Sequence, residues 1–245
     1  MTKVIAQNKS DLISELKKYK NKEKEAFYPK FFKTGKGEYG EKDIFLGVSV
    51  PNSRKVAIKF QNINLNEIKK LIHNEIHEVR LCALLILTEK YEKEKQKQNI
   101  QNQKKIFEFY LENLKGVNNW DLVDTSSYKI IGEYLKEKST KEREILYKFA
   151  KSNDLWKKRI AIISTFAFIK NNDFEDTIKI SEILLNDKHD LIHKAVGWML
   201  REMGKKDIKS LEIFLEKHAR KMPRTALRYS IEKFEEKKRK YYLNM

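Results

Sequence analysis

Proline is nearly missing from this chain. There are three, Pro29, Pro51 and Pro223, so nothing between residues 52 and 222 carries that helix breaker. Cysteine occurs once, at Cys82. One thiol excludes an internal disulfide and suits a reducing compartment. It lies in the apolar run "RLCALLIL" and reads as a small core residue. Long hydrophobic runs are lacking too. The longest, "IAIISTFAFI" at 160–169, is about half of the roughly 20 residues that a membrane span requires. The N-terminal "MTKVIAQNKSDLISELKK" has no apolar stretch of the kind a signal peptide needs. These absences predict a soluble, cytoplasmic protein.

What is present is charge and helix. Hydrophobic residues make up 40% of the 245 and are spread along the whole chain. That predicts one ordered domain over residues 1–245 rather than a core with a disordered tail. Lys and Arg number 52 against 35 acidic residues, a formal net charge of +17. Such an excess points to a polyanionic partner, nucleic acid or an anionic membrane surface. The alternative is a lysine-rich proteome from an AT-rich genome, since Lys exceeds Arg and both Ile and Asn are abundant.

Apolar residues recur at helical spacing. "LNEIKKLIH" puts Leu65, Ile68, Leu71 and Ile72 on one stripe, and "IFEFYLENL" does the same with Ile106, Phe107, Tyr110, Leu111 and Leu114. The one extended candidate, "IFLGVSVP" at 44–51, is short and ends at a proline. The expectation is an all-α protein of about a dozen short helices. Three segments look repeated: "HEVRLCALLIL" (77–87), "NDLWKKRIAIISTFAFI" (153–169) and "HDLIHKAVGWMLREM" (189–203). Each has an acid shortly before a base, then an apolar helix containing small residues. Arg80, Arg159 and Lys194 take equivalent places. A period near 35–40 residues is the signature of HEAT-like helical repeats stacked as a curved α-solenoid. The concave face would form a basic groove. An irregular helical bundle is the alternative.

Several motifs lead nowhere. "GKGEYG" at 35–40 matches a dinucleotide fingerprint by letter, but no strand–helix unit surrounds it. A flexible glycine-bearing loop touching a phosphate backbone fits it better. His73 with His77, and His189 with His193, have helical spacing but lack the Cys or Glu that a zinc site would add. No nucleophile elbow appears. The segment from residue 214 to 245 carries ten Lys or Arg against four Glu, and its "PRTALRYSIEKFEEKKRKYY" (223–242) reads as a last capping helix with a basic face.

The stretch "NNWDLVD" at 118–124 differs. It reads as a helix start capped by Asn118 or Asn119. Trp120 and Asp124 then share a face at i and i+4, while Asp121 points elsewhere and serves the helix N-terminus. "WKKRIAI" offers Arg159, and "KAVGWMLRE" offers Trp198 and Arg201. A solenoid would bring one carboxylate, two indoles and a guanidinium into a basic groove.

These residues resemble the AlkD-type DNA alkylation repair enzymes, a HEAT-like repeat DNA glycosylase family. The similarity runs over nearly the whole chain. It is sharpest at "NNWDLVD", "LWKKRIAI" and "KAVGWMLRE", with "FFKTGKGEYGEKDIFLGVSVPNSRKVA" (31–57) similar to the family's N-terminal segment. The resemblance implies excision of N3- and N7-alkylated purines from duplex DNA, without base flipping, leaving an abasic site. It implies Asp124 as the catalytic aspartate and Trp120 and Trp198 as the tryptophans at the lesion's deoxyribose. Arg159 matches an arginine that pairs with the backbone and supports the site. Phe31 falls where the family often has Tyr, and a lost hydroxyl there would alter lesion preference. Lys157, Lys158, Lys194, Arg201, Arg224 and Arg228 are candidate phosphate contacts. No cofactor, metal, membrane or obligate protein partner is implied. Two rival readings use the same surface: a non-catalytic module that binds DNA structures, and a protein-binding scaffold.

The chemistry suits the residue types. Alkylation at N3 or N7 gives the purine a formal positive charge, so it leaves as a neutral base without being protonated. The costly species is the oxocarbenium-like sugar. A carboxylate and electron-rich aromatic faces stabilise it, each cation–π contact by about 0.5–2 kcal/mol.

Overall fold

The computed structural model describes residues 7–245. The first six residues of the N-terminal stretch considered above lie outside them. The described residues form sixteen α-helical segments with no strand. The chain divides into two compact units, one up to Ser126 and one from Ser127.

In the first unit, asparagine starts most of the helices. Asn8, Asn21, Asn64 and Asn99 cap α1 (Lys9–Lys17), α2 (Lys22–Phe31), α4 (Leu65–Ile72) and α6 (Ile100–Glu112), each side chain accepting a backbone N–H of the first turn. Such a cap is worth about 1 kcal/mol. Pro51 sits in the first turn of α3 (Val50–Lys59), where its missing N–H has no partner to lose. The apolar run 79–87 makes α5 (His77–Gln96) the centre of this unit. Every residue from His77 to Thr88 is buried, and α3, α4 and α6 all pack on this helix. Cys82 is among the buried residues, as its setting predicts.

The extended candidate at 44–51 is not a strand. Ile44 makes one isolated bridge to Ile76, and the helix α3 begins at Val50. The reason is that a side chain takes the ladder's place. The Glu78 carboxylate accepts the N–H of Leu46 at 3.0 Å and that of Val48 at 3.1 Å. Between them Gly47 has φ of +75°, and a Cβ there would overlap the Asn21 carbonyl oxygen. Glycine is required at this close approach.

The glycine-bearing stretch 33–43 is a loop, as expected, but it follows two helices rather than one. Its amides are occupied. The Gly35 N–H donates to Glu38 at 2.8 Å and the Gly37 N–H to Glu41 at 3.1 Å.

In the second unit α13 (Asp190–Lys206) is central and packs on α10 (Leu155–Ser164), α12 (Glu175–Leu184), α14 (Ile208–His218) and α15 (Arg224–Ser230). Asp154 caps α10 and His189 caps α13 through side-chain bonds to backbone N–H groups. The long apolar run at 160–169 does not form one helix. It breaks at Thr165 into α10 and α11 (Phe166–Lys170), and the Thr165 hydroxyl donates to the Ile162 carbonyl at 2.7 Å. The basic C-terminal segment forms two short helices, α15 and α16 (Glu236–Leu243). Ile231, fully buried after α15, anchors the turn between them.

Candidate active site

Helix α7 (Trp120–Ser127) follows a short 3-10 turn at Leu114–Gly116. Asn119 takes the cap position: its carbonyl accepts the Val123 N–H at 3.1 Å, and its side-chain oxygen accepts the Trp120 N–H at 2.8 Å. Its amide nitrogen donates to Asp43 at 3.0 Å. The helix start read from "NNWDLVD" is therefore present, with Asn119 as the capping residue. The cap also ties α7 to the loop that precedes residue 44.

Trp120 and Asp124, at i and i+4, both line a cleft of about 340 Å³, with Thr125 beside them. The opposite wall is aromatic. Trp120 lies face to face on Phe32, ring centroids 5.5 Å apart, and Phe31 meets it edge-on at 5.8 Å. Phe32 in turn stacks on Phe45 at 4.9 Å. Phe31 is half-exposed at 49% whereas Phe32 is at 7%. Phe31 is thus a rim residue and Phe32 a wall residue, and the sequence reading singled out only the first.

Beneath the rings lies a polar network that the sequence reading missed. His77 is buried against both Phe32 and Phe45, with its ring centroid 4.8 Å from each. Its Nε2 is 2.8 Å from Asp121 and its Nδ1 is 3.0 Å from Asp43. Arg80 holds the other Asp43 oxygen at 2.6 Å. Burial works against a charge on His77, but the Asp121 carboxylate and the hydrogen bonds that His77 donates to both acids outweigh it and raise its pKa to about 9. Burial would raise the Asp43 carboxyl, and the bond to His77 and the Arg80 charge more than offset this, holding it below the usual range. Burial raises Glu78 against its backbone hydrogen bonds. Asp121 also accepts the Leu122 N–H at 2.9 Å, so it does serve the helix start. Its second oxygen makes the more consequential contact, with His77. The spacing His73/His77 gave a weak metal signal; the actual partner of His77, 44 residues later, has no local signature.

Below α7, Tyr110 is fully buried and shares a 2.7 Å hydrogen bond with Ser126. Burial pushes its phenol up and the Asp124 charge adds to this.

The second unit carries the other candidates on packed helices. Arg159 on α10 is buried, and its guanidinium donates to the Leu191 carbonyl at the start of α13. Trp198 on α13 is half-buried, donates to Glu202 at 3.2 Å and lies 6.2 Å from Phe166. Phe166 meets Tyr128 edge-on at 5.2 Å, and the Lys170 ammonium sits 4.6 Å from one ring and 4.8 Å from the other. This aromatic row was not foreseen. Tyr128 opens a π-helical turn at Tyr128–Gly132, a backbone form frequent at functional sites.

Among the candidate phosphate contacts, Lys158 pairs with Asp187 and Lys194 with Asp190, both at 2.7 Å. Arg201 pairs with Glu232, and Arg224 donates to the Leu243 carbonyl at 2.6 Å. Arg228 is exposed and Lys157 half-exposed. The Lys194–Asp190 pair is exposed, and such a pair is worth about 0–1 kcal/mol, whereas Lys158 and Arg201 are held in less exposed pairs. The histidine pairs do not converge. His73 bonds Asn113, His189 caps α13, and His193 bonds the Asp187 carbonyl. Among the described residues no group of three His, Cys, Asp or Glu could hold a metal ion, and no helix is long and apolar enough to cross a membrane.

The profile of one protein family, described as DNA alkylation repair enzyme, matches residues 12–234. The chain belongs to that family. The fold agrees with it. A predicted DNA alkylation repair enzyme from Enterococcus faecalis superposes with a TM-score of 0.68, over 89% of this chain and 97% of that one, at 17% identity. No curated protein matches the chain by sequence. Membership in a DNA alkylation repair family gives the basic composition a partner, DNA, and gives the cleft at Asp124 a reaction class to be tested.

Proposed function

We propose that this protein is an alkylpurine DNA glycosylase. It hydrolyses the N-glycosidic bond of cationic N3- or N7-alkylated purines in duplex DNA and leaves an abasic site. The reading includes a HEAT-like solenoid whose basic groove holds the duplex, with no base flipped into a pocket. The observation that carries it is the Asp124 carboxylate one turn from the Trp120 indole on a single cleft wall.

In this mechanism the C1′–N bond breaks first in charge terms. Its electron pair leaves on N9 and, delocalised into the cationic ring, neutralises the alkylated base. Positive charge passes to the sugar, where Asp124 and the Trp120 face stabilise it. Water adds at C1′ and its proton leaves through the Asp124 carboxylate, as carboxylates assist sugar hydrolysis elsewhere. Trp198 supplies a second aromatic face and Arg159 supports the site. Lys157, Lys158, Lys194, Arg201, Arg224 and Arg228 contact phosphates without reading sequence, and Phe31 touches the lesion side.

The test is mass spectrometry of bases released from methylated duplex DNA. Release of 7-methylguanine or 3-methyladenine is expected. Tight, salt-dependent DNA binding without any release would replace this reading with that of a non-catalytic DNA-binding module.

A further inference from the structure

Two carboxylates meet one imidazole at the base of the cleft, from opposite sides. A carboxylate can only accept a hydrogen bond, and a neutral imidazole has only one N–H to give. With Nε2 at 2.8 Å from Asp121 and Nδ1 at 3.0 Å from Asp43, both ring nitrogens must carry protons. The Arg80 Nη2 is 2.6 Å from Asp43 and 3.4 Å from Nδ1; the shorter 3.0 Å contact of Nδ1 with the Asp43 carboxylate would set two acceptors against each other unless Nδ1 carries the proton.

The bridge joins three parts of the chain that are far apart in sequence. His77 begins α5, Asp43 ends the 33–43 loop, and Asp121 lies in the first turn of α7 next to Trp120. Asn119 adds a second tie from α7 to Asp43. The imidazole stacks on Phe45 and lies tilted against Phe32, and Phe32 is the ring on which Trp120 lies.

We infer that His77 is held as an imidazolium, and that its bridge between Asp43 and Asp121 is the device that orients the first turn of α7. His77, Asp43 and Asp121 are then positioning residues for chemistry at Asp124. This inference rests on the proposed role of Asp124. The charged and titratable groups around the imidazole are Asp43 from the loop, Asp121 from α7, and Glu78 and Arg80 from α5. Tyr28 of α2 lines the same cleft, its phenol raised by burial and by the charges of Glu78 and Asp121. Deprotonation of His77 removes one of the two bonds and leaves an acceptor facing a carboxylate.

Two measurements test this. In the wild-type protein, nitrogen-15 NMR of the histidine rings should show both His77 nitrogens protonated at pH 7.5. The Trp120 indole N–H resonance, assigned with Trp120→Phe, should move as His77 titrates. In the second, single-turnover excision is compared for the wild type and Asp121→Asn at pH 6 and pH 8.5. Asparagine keeps an acceptor for Nε2 but removes the charge. The variant should excise about tenfold more slowly at pH 8.5, recover to within about threefold at pH 6, and bind DNA as the wild type does. An equal deficit at both pH values, or an unprotonated His77 nitrogen at pH 7.5, overturns the inference. If the wild type releases no base, the proposed function fails. The bridge then stands or falls on the NMR result.

Discussion

Trp120 lies face to face on Phe32, with centroids 5.5 Å apart and planes 18° apart. The indole is one turn from Asp124 on α7, while Phe32 caps the end of α2. A helix at the start of the chain therefore fixes the aromatic face that the proposed reaction uses. Phe32→Leu should cost about 1–1.5 kcal/mol of stability, typical of a volume-changing apolar swap in a packed site. It should lower excision more than it lowers DNA affinity. A denaturation midpoint measured beside single-turnover rates checks this; unchanged rates would detach Trp120's orientation from function.

Asp124→Asn keeps shape and removes charge. Losing one aligned electrostatic stabiliser costs about 100- to 1000-fold in rate. DNA affinity should stay within about threefold. Excision at the wild-type rate would show that another group carries the reaction.

Phe31 is half-exposed at the rim, edge-on to Trp120. Phe31→Tyr adds a hydroxyl toward solvent, so stability should change by less than about 0.5 kcal/mol. The ratio of 3-methyladenine to 7-methylguanine released should shift. An identical ratio would place Phe31 away from the lesion.

Gly47 has φ of +75° and no room for a Cβ beside the Asn21 carbonyl. Gly47→Ala combines backbone strain of about 1–3 kcal/mol with that overlap. The thermal midpoint should fall, and the segment pinned by Glu78 should loosen. A midpoint equal to the wild type would contradict the close packing of residues 46–48.

The His77 network has a defined pH signature. The folded pKa is raised to about 9, above the ordinary histidine value of 6.5. Its stabilisation is fully present below about pH 6.5, declines as pH rises, and is gone above about pH 9. The size is about 3 kcal/mol. Asp43, held low, loses its contribution on the acid side instead, as pH falls through its folded pKa. Thermal midpoints should decline between pH 7 and pH 9 in the wild type, and less steeply in Asp121→Asn. Parallel curves would assign the decline to other groups.

The sequence by itself determined the helical class, because scarce proline and 3.6-residue periodicity leave few other solutions. It also determined the local geometry at α7. Trp120 and Asp124 share a face because they are four residues apart, and asparagine favours the cap at Asn118 or Asn119, between which the structure selects Asn119. Helix spacing is a local property, so these could be read from letters. The strand candidate at 44–51 failed for the opposite reason: the Leu46 and Val48 amides bond to Glu78, 32 and 30 residues away. The apolar run at 160–169 breaks at Thr165, where the backbone N–H bonds the Ile162 carbonyl three residues back, a turn that hydropathy does not see. Only the tertiary structure decided that Phe32, Phe45 and His77 build the cleft wall. Only it decided that Asp121, read as a helix-start residue, faces a buried imidazole. Those contacts join residues 32, 43, 77 and 121, and their energies exist only once burial has removed the competing water.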